Sequence, residues 1–303
     1  MNSSFLTTAL PPALAVIMFG LGLSLTTADF TRVTRAPKAV AIALTCQVIV
    51  LPLVAFALVE LFDLSPLLAV GMMLLAASPG GATANLFSHL FRGDVALNVT
   101  LTAINSILCV VTVPLVTNLA INRFAHDQTG ELGLQFGKTV QVVVIVLVPV
   151  VIGMAVRHRA PGFAATMDRP VRIASIAILA TLVLAAMLND RSAIGGYVLD
   201  VGAITALFCL ISLTTGYLVP RAFGIPAQQA IASSMEIGVH NSAIAITLAL
   251  SVLETPRIAI PAAVYAVLMT PLAALVGAII SRKTRSEQRG SRKAGHPNAT
   301  ALG

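Results

Sequence analysis

The sequence predicts an all-α membrane protein that crosses the bilayer many times, and two observations support this prediction. First, 57% of the residues are hydrophobic and 10% are charged, with a mean hydropathy of +0.93, whereas soluble domains carry about 25% charged residues. Second, the apolar residues form successive runs of about 20, the length of helix that crosses a hydrocarbon core. The runs are continuous and do not alternate, which disfavours a β-barrel.

Nine transmembrane helices are predicted, at 6–26, 38–59, 66–91, 95–121, 134–156, 170–189, 198–219, 226–252 and 258–281. Helix-breaking residues interrupt the third and the eighth. Residues 282–303 are basic and polar, and this composition predicts a disordered cytoplasmic tail. No positively charged segment precedes the first apolar run, so that run is interpreted as a retained span and not as a signal peptide.

The distribution of basic residues predicts an outside N-terminus and a cytoplasmic C-terminus. In this orientation the inner loops and the tail hold 15 of the 19 Lys and Arg residues, as the positive-inside rule requires. The four outside are Arg123, Lys138, Arg191 and Arg257. Topology thus explains the net charge of +7 without nucleic acid as a partner. We expect a monomer in the lipid bilayer of the cell inner (plasma) membrane.

Two stretches, starting at Ser65 and Ile225, share one layout. Each opens with a proline, continues through apolar or small residues to a polar cluster, SPGGATAN or MEIGVHN, and then resumes as helix. Because one stretch begins outside and the other inside, they are predicted to be inverted repeats. Paired interruptions at matching positions indicate the midplane site of a transporter, since unwound backbone is tolerated in a membrane only when it is buried in protein or lines a cavity.

Glu236 is the acidic residue predicted to lie deep in a span. A charge at the bilayer centre costs at least about 2.5–3.5 kcal/mol, and no Lys or Arg is predicted at the same depth. Either the carboxyl group is protonated or a cation is bound. Hard cations prefer oxygen ligands, and side chains with oxygen atoms are predicted at corresponding depth: Gln47, Asn85, Asn98, Thr102, Asn105 and Asn241.

Simpler interpretations compete at several positions. A single Asn, Ser or Thr in a membrane helix usually forms a helix–helix hydrogen bond, and this interpretation is kept for Thr45, Asn105 and Ser106. Gln47 fits either role. His240 follows Glu236 by four residues, which places both on one face of a continuous helix. A structural histidine bonded to a backbone carbonyl is the alternative there.

Taken together, the motifs resemble the bile acid:sodium symporter family. EIGVHNS resembles the family's E-x-G-x-Q-N-S, SPGGATANLFSHLFRGDVALNVTLT resembles C-P-G-G-T-A-S-N…L-x-R-G-D-V-A-L-S-V-x-x-T, and IMFGLGLSLTTADF resembles I-M-F-G-M-G-L-T-L-x-x-x-D-F. The match extends from about Val16 to Ile280. The resemblance implies a core domain with two broken, crossing helices, about 66–91 and 226–252, beside a panel domain, with substrate bound between the domains.

The resemblance also implies two sodium sites and a substrate site. Sodium site 1 corresponds to Ala84, Asn85, Asn98, Thr102 and Glu236. Sodium site 2 corresponds to Gln47, Glu236, the carbonyl groups of Ile237 and Val239, and His240. Substrate contacts correspond to Ala82, Thr83 and Asn241.

The chain departs from the family pattern at four of these positions. Ala84 and Asn98 replace serines, so Ala84 can offer only its carbonyl oxygen, while Asn98 still has a side-chain oxygen. His240 replaces a glutamine, and an imidazole nitrogen is a poor ligand for sodium. Ala82 replaces a threonine, so the contact with the anion is expected to differ.

The sequence therefore predicts a sodium-coupled symporter that imports a small organic anion, with one or two Na⁺ as coupling ions. The anion is a carboxylate, either bile-acid-like or a keto or hydroxy acid. A proton-coupled transporter on the same scaffold, using Glu236 and His240, is the first alternative. An arsenite-type exporter would need a reactive cysteine in the broken helix, and 78–91 contains none. A non-transporting membrane receptor is the alternative from another class. An enzyme is disfavoured, because no nucleophile accompanies Glu236 and His240.

Overall fold

The computed structural model describes residues 15–16, 19–20, 22–23, 32–125, 136–167, 170–171, 173–174 and 194–294. Within these residues every regular element is a helix. Four helices of the described part are long and apolar enough to cross a membrane: Pro37–Leu61, Val95–Phe124, Val201–Ala222 and Pro256–Arg282. This part of the chain therefore has the all-α architecture that the composition predicts.

Helix α1 spans Pro37–Leu61 and contains one π-helical turn, Cys46–Val50. Pro52 lies two residues after the end of that turn. A proline inside a helix lacks the N–H for its hydrogen bond, and its ring clashes with the carbonyl of the preceding turn. A π turn relieves such a conflict, and π turns are frequent at functional sites. This one carries Gln47, which is buried.

Helices α2 (Pro66–Ala77) and α3 (Ala82–Leu90) form the first interrupted span. Helix α2 ends because Ser78 adopts an extended conformation, as expected for a residue that precedes a proline. Helix α4 (Val95–Phe124) follows, and the Asp94 carboxylate accepts a hydrogen bond from the N–H of Leu97 at 3.0 Å. This N-terminal cap fixes the start of α4.

Helix α5 spans Phe136–Arg159 and α6 spans Ile194–Ala222. Helices α7 (Ala227–Gly238) and α8 (Ser242–Ser251) form the second interrupted span. Asn241 caps α8, because its side-chain oxygen accepts a hydrogen bond from the N–H of Ile244 at 3.4 Å. Helix α9 spans Pro256–Ala294. Both interruptions thus occur where the polar clusters predict them.

Helix α9 differs from the prediction of a tail disordered from Arg282 onward. The helix continues through the basic segment to Ala294. Just beyond Arg282, Thr284 is buried, and its hydroxyl lies 3.5 Å from that of Tyr217 on α6. Lys, Arg, Glu and Gln favour helix, so a basic and polar composition does not by itself end a helix that is already formed.

The first predicted span, 6–26, and the sixth, 170–189, lie mostly outside the described residues. The count of nine spans, the inverted repeat and the division into core and panel domains remain predictions. Two contacts join the ends of helices that are far apart in the sequence. Lys38 Nζ donates to the carbonyl of Phe223 at 2.7 Å, and Arg123 pairs with Glu60 at 2.7 Å.

Small residues allow the helices of the described core to approach closely. Helix α7 packs against α3, α4 and α6, and α2 packs against α4 and α9. A Cβ atom at Gly216 of α6 would lie 2.8 Å from the Cα of Ser234 on α7. Such close contacts are typical of membrane helix packing, where van der Waals contact replaces the hydrophobic effect as the driving force.

Candidate ion-binding site

The two helix breaks lie directly against each other. The N–H of Gly81 donates to the carbonyl of Val239 at 3.3 Å, and the N–H of Asn241 donates to the carbonyl of Pro79 at 2.7 Å. Gly80 and His240 form an antiparallel bridge between these bonds. Backbone groups released from a helix inside a membrane must find other partners, and here the two breaks satisfy each other.

Glu236 lies in the last turn of α7, next to this crossing, and is 0% exposed. Thr102 Oγ1 donates to its Oε2 at 2.6 Å, and Asn98 Nδ2 donates to the same oxygen at 3.2 Å. Asn105 Nδ2 donates to Oε1 at 3.2 Å. Neutral donors on both oxygens therefore stabilise the buried carboxylate.

Helix α4 supplies the three side-chain donors from one face. Positions 98, 102 and 105 are spaced by four and three residues, which places them on the same side of a helix. Asn98 Nδ2 also donates to the carbonyl of Ala232 at 3.0 Å, so α4 is fixed to α7 one turn before Glu236. The position of Glu236 thus depends on the packing of α4 against α7.

Gly80 must be a glycine because of its distance from Glu236. A Cβ atom there would overlap the carboxyl group and would lie 2.6 Å from the backbone oxygen of Glu236. Gly80 therefore serves close approach between the two breaks, whereas a Cβ atom at Gly81 would lie at an ordinary contact distance, 3.7 Å, from Asn241. Sequence analysis identifies these glycines as helix breakers but misses this second requirement.

Four buried side-chain amide oxygens have no hydrogen-bond partner among the described residues. They belong to Gln47, Asn85, Asn98 and Asn105. Buried polar atoms are bonded in the large majority of cases, so such a group needs an explanation, one of which is an ion. All four are amide oxygens, which are neutral ligands suited to a hard cation.

The structure brings some of the residues expected for sodium site 1 into contact with one another, but not all of them. Asn98, Thr102 and Glu236 are joined by the hydrogen bonds above. Ala84 and Asn85 lie in the first turn of α3, just after the break, where Ala84 is fully buried and the side-chain oxygen of Asn85 is unpartnered. The structure therefore joins three of the five residues directly and leaves Asn85 with an oxygen free to bind.

The residues expected for sodium site 2 divide into two groups. Gln47 Nε2 donates to the carbonyl of Ser78 at 3.1 Å, beside the first break. His240 contacts Tyr265 instead, with Nδ1 3.1 Å from the tyrosine hydroxyl. That hydroxyl donates to the carbonyl of Gly238 at 2.8 Å. Ile237 and Val239 are fully buried, and the carbonyl of Val239 accepts from Gly81.

His240 therefore has a defined tautomer and a packed ring. Tyr265 has one hydroxyl proton, which goes to Gly238, so the Nδ1 of His240 must carry the proton that the tyrosine oxygen accepts. The ring centroid lies 5.4 Å from those of Phe208 and Tyr265. This histidine is bonded to the backbone through Tyr265. The arrangement is close to the alternative given above, a structural histidine bonded to a backbone carbonyl.

The expected substrate residues lie at the crossing. Thr83 is exposed in the first turn of α3, Asn241 is half-buried before α8, and the side chain of Ala82 lies outside the described residues. Helices α3 and α8 both begin here. Unpaired N–H groups and the helix dipole make such termini favourable for anions.

Sequence reasoning misses two residues of this site. Asn105 is interpreted as an ordinary helix–helix contact, yet it binds Glu236. Its spacing from Asn98 and Thr102 on one helical face is the signal that identifies it. Tyr265 carries no sequence signal, because its contact with His240 is made only by the packing of α9 against the second break.

Comparison with known proteins identifies the class. A family model described as the sodium bile acid symporter family matches residues 11–195. The chain belongs to this family, and it is therefore a multi-pass membrane transporter and not an enzyme.

Three relatives illustrate the range of similarity. The chain is 28% identical to the uncharacterized sodium-dependent transporter YocS of Bacillus subtilis, over 92% of this chain and 85% of that protein. It is 30% identical to the probable sodium/metabolite cotransporter BASS1, chloroplastic, of Arabidopsis thaliana, over 89% of this chain and 66% of that protein. It is 27% identical to the human ileal sodium/bile acid cotransporter, over 81% of this chain and 70% of that protein.

Proposed function

We infer that this protein is a sodium-coupled symporter that imports a small organic anion. The observation that carries the proposal is Glu236, a fully buried carboxylate at the crossing of two broken helices. It is held by neutral donors, and two of them, Asn98 and Asn105, have side-chain oxygens without partners among the described residues. The names of the relatives, which refer to sodium-dependent transport of bile acids or metabolites, support the same function.

A monovalent cation suits this site because of charge and ligand type. Hydrogen bonds from Thr102, Asn98 and Asn105 reduce the cost of the buried carboxylate but do not remove its charge. A bound Na⁺ makes the site neutral overall, which lowers the cost of a charge inside the membrane. For sodium site 1 we assign as ligands the carbonyl of Ala84 and the side chains of Asn85, Asn98, Thr102 and Glu236.

The organic anion binds at the crossing itself. The N-termini of α3 and α8 direct N–H groups towards this region, and Ala82, Thr83 and Asn241 lie there. The same two breaks carry Glu236 and Gly80, so an ion that fixes the breaks also fixes the anion site. This shared backbone couples sodium binding to substrate binding.

We place the protein in the cell inner membrane, with the N-terminus outside and the C-terminus in the cytoplasm, as the distribution of basic residues predicts. The inward sodium gradient sets the direction of transport. Sodium then enters from outside down its gradient and carries the anion inward. The cargo is a carboxylate, which is either bile-acid-like or a keto or hydroxy acid. A panel of anions that contains both classes distinguishes them.

Uptake by proteoliposomes tests the proposal. A panel of labelled carboxylates is supplied with an inward sodium gradient, with equal sodium on both sides, or with a proton gradient alone. We expect concentrative uptake with the sodium gradient and none for Glu236→Gln, which keeps the shape of the side chain and removes its charge. Uptake driven only by protons supports the alternative that uses Glu236 and His240. Binding without uptake supports the receptor alternative.

A further inference from the structure

The carbonyl group of Gly238 loses its helical partner at the second break. Gly238 is the last residue of α7, and in a continuous helix its carbonyl would accept a hydrogen bond from the N–H of Ser242. That N–H instead donates to the carbonyl of His240 at 3.0 Å. A backbone carbonyl released inside a membrane requires another donor, so the partner of Gly238 determines how this segment is held.

Tyr265 on α9 supplies that donor. Its hydroxyl donates to the carbonyl of Gly238 at 2.8 Å, and Nδ1 of His240 lies 3.1 Å from the same hydroxyl oxygen. The Sγ atom of Cys209 is 3.8 Å from this carbonyl, and a thiol is a weak donor. Among the described residues, Tyr265 is therefore the strong partner of the released carbonyl.

The ring of Tyr265 and its hydroxyl group make separate contacts. The side chain is fully buried, and its ring centroid lies 6.0 Å from that of Phe208 and 5.4 Å from that of His240. Packing therefore holds the ring whether or not the hydroxyl is present. Removal of the hydroxyl alone isolates the effect of the hydrogen bond to Gly238.

Gly238 lies in the segment that joins the proposed ion site to the proposed anion site. Glu236 precedes it by two residues, and Asn241 follows it by three. The carbonyl of its neighbour Val239 accepts a hydrogen bond from Gly81 of the first break at 3.3 Å. A shift of the Gly238 carbonyl therefore also shifts the backbone that carries Glu236 and Asn241.

We propose that Tyr265 is a positioning residue for transport: its hydroxyl holds the Gly238 carbonyl and so keeps Glu236 and Asn241 in the arrangement that binds the ion and the anion. The inference rests on the proposed sodium-coupled uptake and adds a residue of α9 to it. Without the hydroxyl, a smaller fraction of the protein has the binding arrangement, which weakens the apparent affinity in proportion. Saturating sodium and substrate restore the arrangement, so the maximal rate is retained.

Tyr265→Phe tests this inference in proteoliposomes, with a sodium gradient and a carboxylate that the wild type transports. We expect the sodium and the substrate concentrations for half-maximal uptake both to rise several-fold, which is the size expected for loss of one hydrogen bond. The maximal rate changes little. Tyr217→Phe on α6 is the matched control, because this tyrosine is also buried but its hydroxyl lies 3.5 Å from that of Thr284, in the extension of α9. Its half-saturation values stay at those of the wild type.

Restoring a donor separates a positioning role from a purely structural one. Para-aminophenylalanine at position 265 keeps the ring and carries N–H groups in place of the hydroxyl, so we expect it to return both half-saturation values towards those of the wild type. The unfolding temperature without sodium is measured for every variant. A tyrosine that only stabilises the fold lowers this temperature without a change in half-saturation, and that result, or a lack of rescue by the amino group, overturns the inference.

The remaining outcomes distinguish this inference from the proposed function. No sodium dependence in the wild type overturns both. Sodium-coupled uptake with equal shifts in Tyr265→Phe and Tyr217→Phe overturns the inference alone. If Tyr265→Phe does not fold, para-fluorophenylalanine at position 265, which fills the space of the hydroxyl without donating, is measured in its place. The same shifts are expected, and wild-type half-saturation values in that variant overturn the inference.

Discussion

At the scale of single residues, a buried charge is tolerated here because polar groups on one neighbouring helix face it. Thr102 shows this most directly, since its hydroxyl lies 2.6 Å from Glu236 Oε2. Asn85 contributes in another way, because its side-chain oxygen is buried and unpartnered. Both are neutral, so each is expected to adjust the affinity for the ion without creating or removing the charge that attracts it.

We predict that Thr102→Ala and Asn85→Ala each raise the sodium concentration for half-maximal uptake several-fold. Loss of one neutral interaction is worth about 1 kcal/mol, and tenfold corresponds to about 1.4 kcal/mol. The maximal rate at saturating sodium changes little. Thr100→Ala is the control, because this buried hydroxyl on the same helix donates to the carbonyl of Ala96 instead. An unchanged sodium dependence in both variants shows that these side chains only hydrogen-bond between helices.

His240→Gln tests whether the histidine takes part in ion coupling. The ring of His240 packs against Phe208 and Tyr265, and such aromatic pairs contribute about 0.5–1.5 kcal/mol. We therefore predict a lower unfolding temperature with an unchanged sodium Hill coefficient and an unchanged pH profile of uptake. The exposed His89→Gln on α3 is the control. A steeper sodium dependence in His240→Gln would show that position 240 takes part in sodium site 2.

At the scale of helices, the sequence predicts the interruptions and, through the family resemblance, their crossing, but not the hydrogen bonds that join the two breaks. Proline, glycine and a charged residue inside an apolar run each oppose a continuous membrane helix. SPGGATAN and MEIGVHN can therefore be recognised in the sequence as helix interruptions. The π turn at Gln47 and the hydrogen bonds between the breaks depend on tertiary packing. Residue type and depth indicate Asn98, Thr102 and Asn105 alike, and the family resemblance selects Asn98 and Thr102. For Asn105 the sequence favours a helix–helix hydrogen bond, which is the usual role of a single asparagine in a membrane helix.

Gly80→Ala is predicted to damage the crossing. The added methyl group overlaps the carboxyl group of Glu236, and overpacking of this kind costs about 1–3 kcal/mol. We expect a lower unfolding temperature in detergent and a loss of the stabilisation by sodium. Gly202→Ala on α6 is the control, because a methyl group there meets nothing within 4 Å, and alanine favours helix. Equal effects of the two changes contradict the close approach of the breaks.

At the scale of the whole molecule, the number of ions determines how far a substrate can be concentrated. A tenfold sodium gradient supplies about 1.4 kcal/mol per ion, and one net charge crossing 100 mV adds about 2.3 kcal/mol. With a monovalent anion, one ion is electroneutral and supports about tenfold accumulation. Two ions carry one net charge and supply about 5 kcal/mol, enough for a several-thousand-fold gradient.

Uptake of a monovalent anion is therefore predicted to be electrogenic. An inside-negative potassium diffusion potential imposed on proteoliposomes should increase the initial rate in the wild type, and an inside-positive potential should reduce it. A wild-type rate that does not depend on voltage contradicts coupling to two sodium ions.

The hydrogen bonds that join the two breaks have an evolutionary consequence. Both run from backbone to backbone, from Gly81 to Val239 and from Asn241 to Pro79, so the junction makes few demands on the side chains around it. Apart from the glycine that Glu236 requires and the cap that Asn241 provides, positions such as 82 and 83 can exchange residues without loss of the architecture. On the proposed assignment of these positions to the anion, one scaffold can in this way acquire new cargoes by substitution at a few positions, while the junction of the two breaks stays the same.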